Sequence, residues 1–198
     1  AAKVRELLTV DTGLHISPPA DPFEAQAARD GLVEASGALK VVAVSLTKIA
    51  NDLRLMGSGP RAGLSELFLP ELQKGSSIMP GKVNPVIVES LTMVVARVLG
   101  NDTTVAFGQT GSFLELNVML PVTAVALLES IELLAAATVN LSRRTVDGLV
   151  ATERGPALVE QGLMLATALA PVLGYDEAAR LAKEAHKSGR TIRARRAT

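Results

Sequence analysis

The chain has 198 residues, a formal net charge of zero and no cysteine. That length suits one domain or two small ones, an apolar share of 48% excludes a disordered chain, and the balanced charge excludes a general basic field for nucleic acid. Disulfides and thiolate zinc sites are excluded too, and His15 and His186 are too few and too far apart in sequence to suggest a metal centre.

The first residues, AAKVRELLTV, lack the apolar run and cleavage site of a signal peptide. They also lack an initiator methionine, so the chain is expected to be processed or part of something longer. A short amphipathic piece over about 2–8 precedes a loop broken by Gly13, Pro18 and Pro19. Asp21, Pro22 and Glu24 then form a helix start: a cap, a proline at the first helical position, and an acid three residues after the cap. The helix is predicted over about 22–55, with Gly31 and Gly37 as weak interruptions and Gly57 to Pro60 as its end.

A connecting segment at 57–75 carries Arg61 and a short apolar stretch, Leu67 to Leu72. Residues 86–99 are apolar on nearly all sides, which predicts a buried helix rather than a surface one. Gly100, Asn101 and Asp102 are expected to break it. Residues 116–142 are more apolar still, but Pro121, Glu129 and Glu132 oppose a membrane span. Two all-round apolar helices exceed what one domain of this size can cover, so an oligomer with a shared core is expected. Further on, Pro156 is expected to open a helix ending near Pro171, and Asp176 to cap a last helix at about 177–187. Arg190, Arg193, Arg195 and Arg196 read as a solvated basic tail. Five to six helices and no convincing strand make this an all-α protein.

The chemistry concentrates in GSSIMPGKVNP, residues 75–85. Hydroxyls (Ser76, Ser77), a Pro80-Gly81 turn, one cation (Lys82) and one amide (Asn84) share a loop between buried segments. Such a loop can bind an anion. Its serines have an ordinary reading, bonding to nearby backbone. They also have a functional one, because a lysine and backbone N–H groups stabilise an oxyanion and make serine a competent base. Glu89 lies one turn into an apolar helix, where a lone carboxylate is costly. It is expected either to form a buried ion pair or to orient a catalytic histidine from outside the chain. Glu115 and Asn117 read as capping residues, Arg61 as a structural ion-pair partner that could instead hold a carboxylate, and Asn51, Asp52 and Arg54 as structural.

GSSIMPGKVNP resembles the signature loop of the fumarase/aspartase superfamily. NDLRLMGSGPRAGL at 51–64, VLGNDTTV at 98–105 and LELNVMLPV at 114–122 are similar to the same family, and the resemblance covers about 13–193. FEAQAARDGLVEASGALK at 23–40, ESLTMV at 89–94 and GYDEAARLAKEAHKSGRTIR at 174–193 are most like the C-terminal half of class II fumarase, whereas LPELQKGSSIMP, GNDTTV and LNVM lean toward aspartase. The resemblance favours fumarase. It implies a fold of long helices whose central bundle assembles into a homotetramer, with 1–145 as part of that central helical bundle and 146–198 as part of a small C-terminal helical domain, and with no metal and no organic cofactor.

It also implies a reaction: reversible elimination across the C2–C3 bond of a small dicarboxylate, malate to fumarate and water. Ser76 would be the general base at C3, Lys82 and Asn84 would bind the carboxylate as it gains charge in an aci-carboxylate intermediate, Ser77 would assist, and Glu89 would pair with an active-site histidine. Family members are much longer, and the histidine and the Thr/Ser/Asn substrate-binding motifs would precede Ala1. RARRAT at 193–198 does not resemble the family's continuation. The chain is therefore expected to be a partial enzyme, complemented by the missing N-terminal half. An aspartate ammonia-lyase and an inactive helical scaffold are the alternatives. The resemblance and the lack of a targeting segment place it in the cytoplasm, with no nucleic acid or membrane partner.

Overall fold

The computed structural model describes residues 1–196. Helices dominate it. α1 (Ala2–Thr12) buries none of its residues and ends at Gly13. α2 (Pro22–Ala27) starts as the sequence predicts, with Asp21 accepting from the backbone N–H of Phe23 at 2.9 Å and of Glu24 at 3.4 Å.

The single helix expected over 22–55 is two. The chain is extended at Ala28 and restarts as α3 (Asp30–Met56), which runs through Gly31 and Gly37 without a break. The cause lies far away in sequence. Gln109 Oε1 accepts from Arg29 N, and its Nε2 donates to Asp30 Oδ1 at 2.9 Å. The Arg29 guanidinium turns back onto the carbonyls of Ala25, Gln26 and Ala28, satisfying oxygens at the end of α2.

α4 (Val86–Thr110) corrects a second expectation, since Gly100, Asn101 and Asp102 lie inside it. Asn101 donates to Glu129 Oε2 at 2.7 Å and to Ser130 Oγ at 3.1 Å. Asp102 accepts from Ser36 Oγ at 2.8 Å and from Lys40 Nζ at 2.6 Å. Polar side chains satisfied by other helices no longer compete for their own backbone, so the helix continues.

A small hairpin follows, β2 (Ser112–Phe113) and β3 (Leu116–Asn117), with Ser112 opposite Asn117. Asn117 acts as a cap: Nδ2 donates to Gly108 O at 3.1 Å and Oδ1 accepts from Met119 N at 2.8 Å. α5 (Leu120–Leu141) therefore begins later than residue 116 and passes into a π-helical turn, Ser142–Val146. Earlier in the chain, β1 (Leu67–Phe68) pairs antiparallel with β4 (Val150–Ala151), and Thr152 Oγ1 donates to Ser65 O at 2.6 Å beside them.

The C-terminal run is more segmented than predicted: α6 (Arg154–Gln161), a 3₁₀ stretch Leu163–Leu169 and α7 (Ala170–Leu173), with an extended Gly162 after α6. α8 (Tyr175–Ser188) starts after Gly174, so Asp176 lies in its first turn rather than at its cap, and it ends at Gly189 as expected. α9 (Ile192–Arg196) closes the described chain. Arg193 is exposed, as expected of a solvated tail, but it also donates to Glu160 bidentately at 2.9 and 2.8 Å and so ties α9 to α6. The side chains of Arg195 and Arg196, also assigned to that tail, lie outside the described ones, as do residues 197 and 198.

Two compact units emerge. The first comprises Ala1–Val44 and Val94–Ala135, and the second Ser45–Met93 and the chain from Ala136 on. The first unit has a core of Val105, Ala126 and Leu127 packed with Leu32, Val33 and Leu39. The second has one core around Ala50, Leu53, Val88, Leu91 and Leu141, and another around Ala166, Ala185 and Ile192.

The chain by itself leaves parts of both long apolar helices uncovered, in keeping with the expectation that one domain of this size cannot cover them. Met93 and Phe107 on α4 and Val125, Leu128 and Val139 on α5 are exposed. The stretch Leu120–Val146 is long and apolar enough to cross a membrane. It also carries Glu129, ion-paired with Arg97 at 2.8 Å, and buried Thr123 and Ser130, which suit a helix packed on other helices.

Candidate active site

The eleven residues from Gly75 to Pro85 fold as the polar loop expected of them, leading into α4. Gly75 and Pro80 form an antiparallel bridge across it. Met79, Pro80, Gly81 and Lys82 make a tight turn, closed by Lys82 N donating to Met79 O at 3.1 Å. Gly81 has a φ of 80°. Proline second and a positive φ third define a type II turn. Val86 N then donates to Asn84 O at 2.8 Å, and Glu89 N to Pro85 O at 3.0 Å, starting α4. Pro85 needs no partner at that boundary because it has no N–H.

Ser76 sits at the centre of this loop. Its Oγ accepts from Met79 N at 2.8 Å and donates to Met79 O at 3.3 Å. One contact thus serves both readings of the serine. The hydroxyl closes a turn, and the N–H aimed at its oxygen is what an alkoxide requires. The sequence indicates that backbone N–H groups matter here but does not single out Met79. Its signal is the Pro80-Gly81 pair, which fixes where residue 79 points.

Ser76, Ser77, Lys82 and Asn84 are thus brought into one loop. Ser77 and Lys82 are exposed or nearly so, and Ser76 and Asn84 half-buried. Among the described residues Lys82 forms no ion pair, so the loop presents one uncommitted cation beside its hydroxyls and amide.

Glu89 falls in the first turn of α4 and is half-buried. A helix N-terminus favours a carboxylate there. The ion pair expected as one explanation is not found among the described residues. His15 and His186 are both exposed, and neither is bonded to it. Arg61 forms no ion pair among the described residues either. Its loop is held instead by Ser58 Oγ accepting from Leu64 N at 3.1 Å and by Ser65 Oγ donating to Pro60 O at 2.8 Å. Asp52 pairs with Lys48 on its own helix, a structural role as expected.

Two polar clusters in the first unit are not foreseen by the sequence. Burial of Asp102 raises its pKa, but hydrogen bonds from Lys40 and Ser36 and the charge of Lys40 outweigh that, and the carboxyl ends below the ordinary aspartate value. Glu129 is lowered by hydrogen bonds from Arg97 and Asn101. Both are ionised at neutral pH and fully engaged, which suits joints between helices rather than reacting groups.

The sequence model of the Lyase family matches residues 1–100, and that of the fumarase C C-terminus matches residues 165–195. The chain is 54% identical to a class II fumarate hydratase of Methylorubrum extorquens, over 98% of this chain and 40% of that protein. It is 52% identical to a mitochondrial fumarate hydratase of Danio rerio, over 98% of this chain and 38% of that one. The crystal structure of a class II fumarase from Schistosoma mansoni superposes with a TM-score of 0.93 at 36% identity, covering 98% of this chain and 44% of that one. The chain spans about two-fifths of the length of the curated relatives it matches.

Proposed function

The chain belongs to the fumarase/aspartase superfamily of lyases and is most like the C-terminal part of class II fumarate hydratase, and from that membership we propose that it supplies the base side of the reversible elimination that converts malate to fumarate and water. The observation that carries this reading is the Ser76 hydroxyl held on the Met79 N–H at 2.8 Å, in a loop with an uncommitted Lys82.

In the proposed reaction Ser76, as its alkoxide, takes the C3 proton of malate. The electron pair of that C–H bond moves into the adjacent carboxylate. Lys82 and Asn84 bind this group, and their charge and N–H donors stabilise the second negative charge it acquires. Ser77 assists by its hydroxyl or backbone. The pair then returns to form the C2–C3 double bond as the C2–O bond breaks. The departing hydroxide takes a proton and leaves as water. The acid that gives this proton is proposed to come from outside the present residues, as is the histidine that Glu89 would orient.

The same membership supports a homotetramer in which several chains complete each site, and a complementary role for the N-terminal part that the relatives possess. Residues 1–145 are proposed as part of the central bundle and 146–198 as part of the small C-terminal domain. A cytoplasmic location is proposed as well, although relatives named mitochondrial make an organelle the competing outcome.

The test uses the full-length gene product and follows fumarate by its ultraviolet absorbance. With malate, turnover is expected, and Ser76→Ala is expected to lower kcat by about 10²–10⁴-fold, the usual worth of a general base. Absence of malate turnover, or full activity in Ser76→Ala, sinks the proposal. Ammonia release from aspartate without malate turnover decides for an ammonia-lyase.

A further inference from the structure

We propose that Gly75 and Gly81 are positioning residues for Ser76: their backbones close on each other and thereby hold the Met79 N–H on the serine oxygen. This rests on the reading of Ser76 as the base and adds what tunes it.

The loop is a ring with two closures. One is the hydroxyl of Ser76 on Met79, 2.8 Å to the nitrogen and 3.3 Å to the carbonyl oxygen. The other is backbone against backbone. A Cβ placed on Gly75 would lie 2.9 Å from Gly81 N and 3.4 Å from both Lys82 N and Met79 O. Those are the atoms of the turn itself, so no flexible side-chain end can give way. Gly75 also has a φ of 121°, where side chains of L-residues are strained, and Gly81 has a φ of 80°. A side chain at 75 must therefore push the 79–82 turn away from Ser76. At Gly81 nothing lies within 4 Å of an added Cβ, so only the backbone angle matters there. Asparagine tolerates a positive φ far better than other side chains.

The chemical consequence concerns the ionisation of the base. An N–H donor favours a charged oxygen over a hydroxyl. Met79 belongs to the turn that Lys82 N closes on its carbonyl at 3.1 Å, so the placing of its N–H follows the turn. Ser76 thus owes its readiness to the shape of the backbone as well as to Lys82. Moving the turn takes the donor away, and the alkoxide then forms only at higher pH.

The test measures kcat/KM for malate against pH in the full-length gene product, comparing the parent with Gly81→Ala, Gly81→Asn, Gly75→Ala and Ser76→Ala. In Gly81→Ala the ascending limb is expected to move to higher pH by about one pH unit or more. At a fixed pH below that limb, such a displacement lowers kcat/KM by about tenfold per pH unit. Gly81→Asn is expected to recover most of what Gly81→Ala loses, and Gly75→Ala to displace the limb furthest. If Gly75→Ala does not fold, the two Gly81 variants alone decide. A limb left at the parent's position in Gly81→Ala, with changes confined to KM or melting temperature, overturns the positioning role while leaving Ser76 as base. Undiminished turnover by Ser76→Ala overturns both.

Discussion

Lys40 Nζ lies 2.6 Å from Asp102 Oδ2, and this contact joins α3 to α4 within the first unit. The aspartate side chain is 12% exposed and the lysine 46%, so the carboxylate, not the ammonium, is the group that depends on the pair. Its folded pKa lies below the ordinary value of 3.8. A lowered pKa means that the stability it brings is fully present above that ordinary value and disappears as pH falls through the folded pKa. Asp102→Asn is expected to cost about 1.5–3 kcal/mol at neutral pH, the range for hydrogen bonds to charged groups. Denaturant unfolding of parent and variant across pH checks this. The gap between them is expected to narrow below about pH 4, and a pH-independent gap refutes the assignment.

Leu91 is 1% exposed on α4 and belongs to the core that packs Ala50, Leu53 and Val88 around Leu141. Leu91→Ala removes most of a buried side chain and leaves a hole bounded by α3, α4 and α5. Losses of about 2–5 kcal/mol follow from such truncations. Unfolding curves of the full-length product measure it. A change below about 1 kcal/mol would mean that the site collapses onto the gap.

Lys82 offers the cleanest separation of catalysis from folding. It is exposed, and among the described residues it forms no ion pair. Lys82→Met is expected to leave the melting temperature unchanged while lowering kcat/KM for malate by about 10²–10³-fold, the scale for losing one stabilising group of a developing anion. Equal activity in parent and variant removes Lys82 from the site.

The loop is legible in the sequence because its chemistry is local. Ser76, the Pro80-Gly81 turn and Lys82 lie within a few residues, and turn geometry follows from proline and glycine wherever the rest of the chain goes. The cap at Asp21 is legible for the same reason. The break at Ala28 is not, because Gln109 makes it by bonding to Arg29 from 80 positions away. Asn101 and Asp102 mislead in the opposite direction. Their type suggests a helix end, and only the partners Ser36, Lys40, Glu129 and Ser130 make them good helix residues. Glu89 shows the remaining limit: its position at the start of α4 is a local matter, but among the described residues neither His15 nor His186 is bonded to it.

Exposed Met93, Phe107, Val125, Leu128 and Val139 have a thermodynamic consequence. If such faces are sheltered only by other chains, part of the cohesion of each subunit is intermolecular. Mass action then ties melting temperature to protein concentration, so that simple dilution acts as a denaturant.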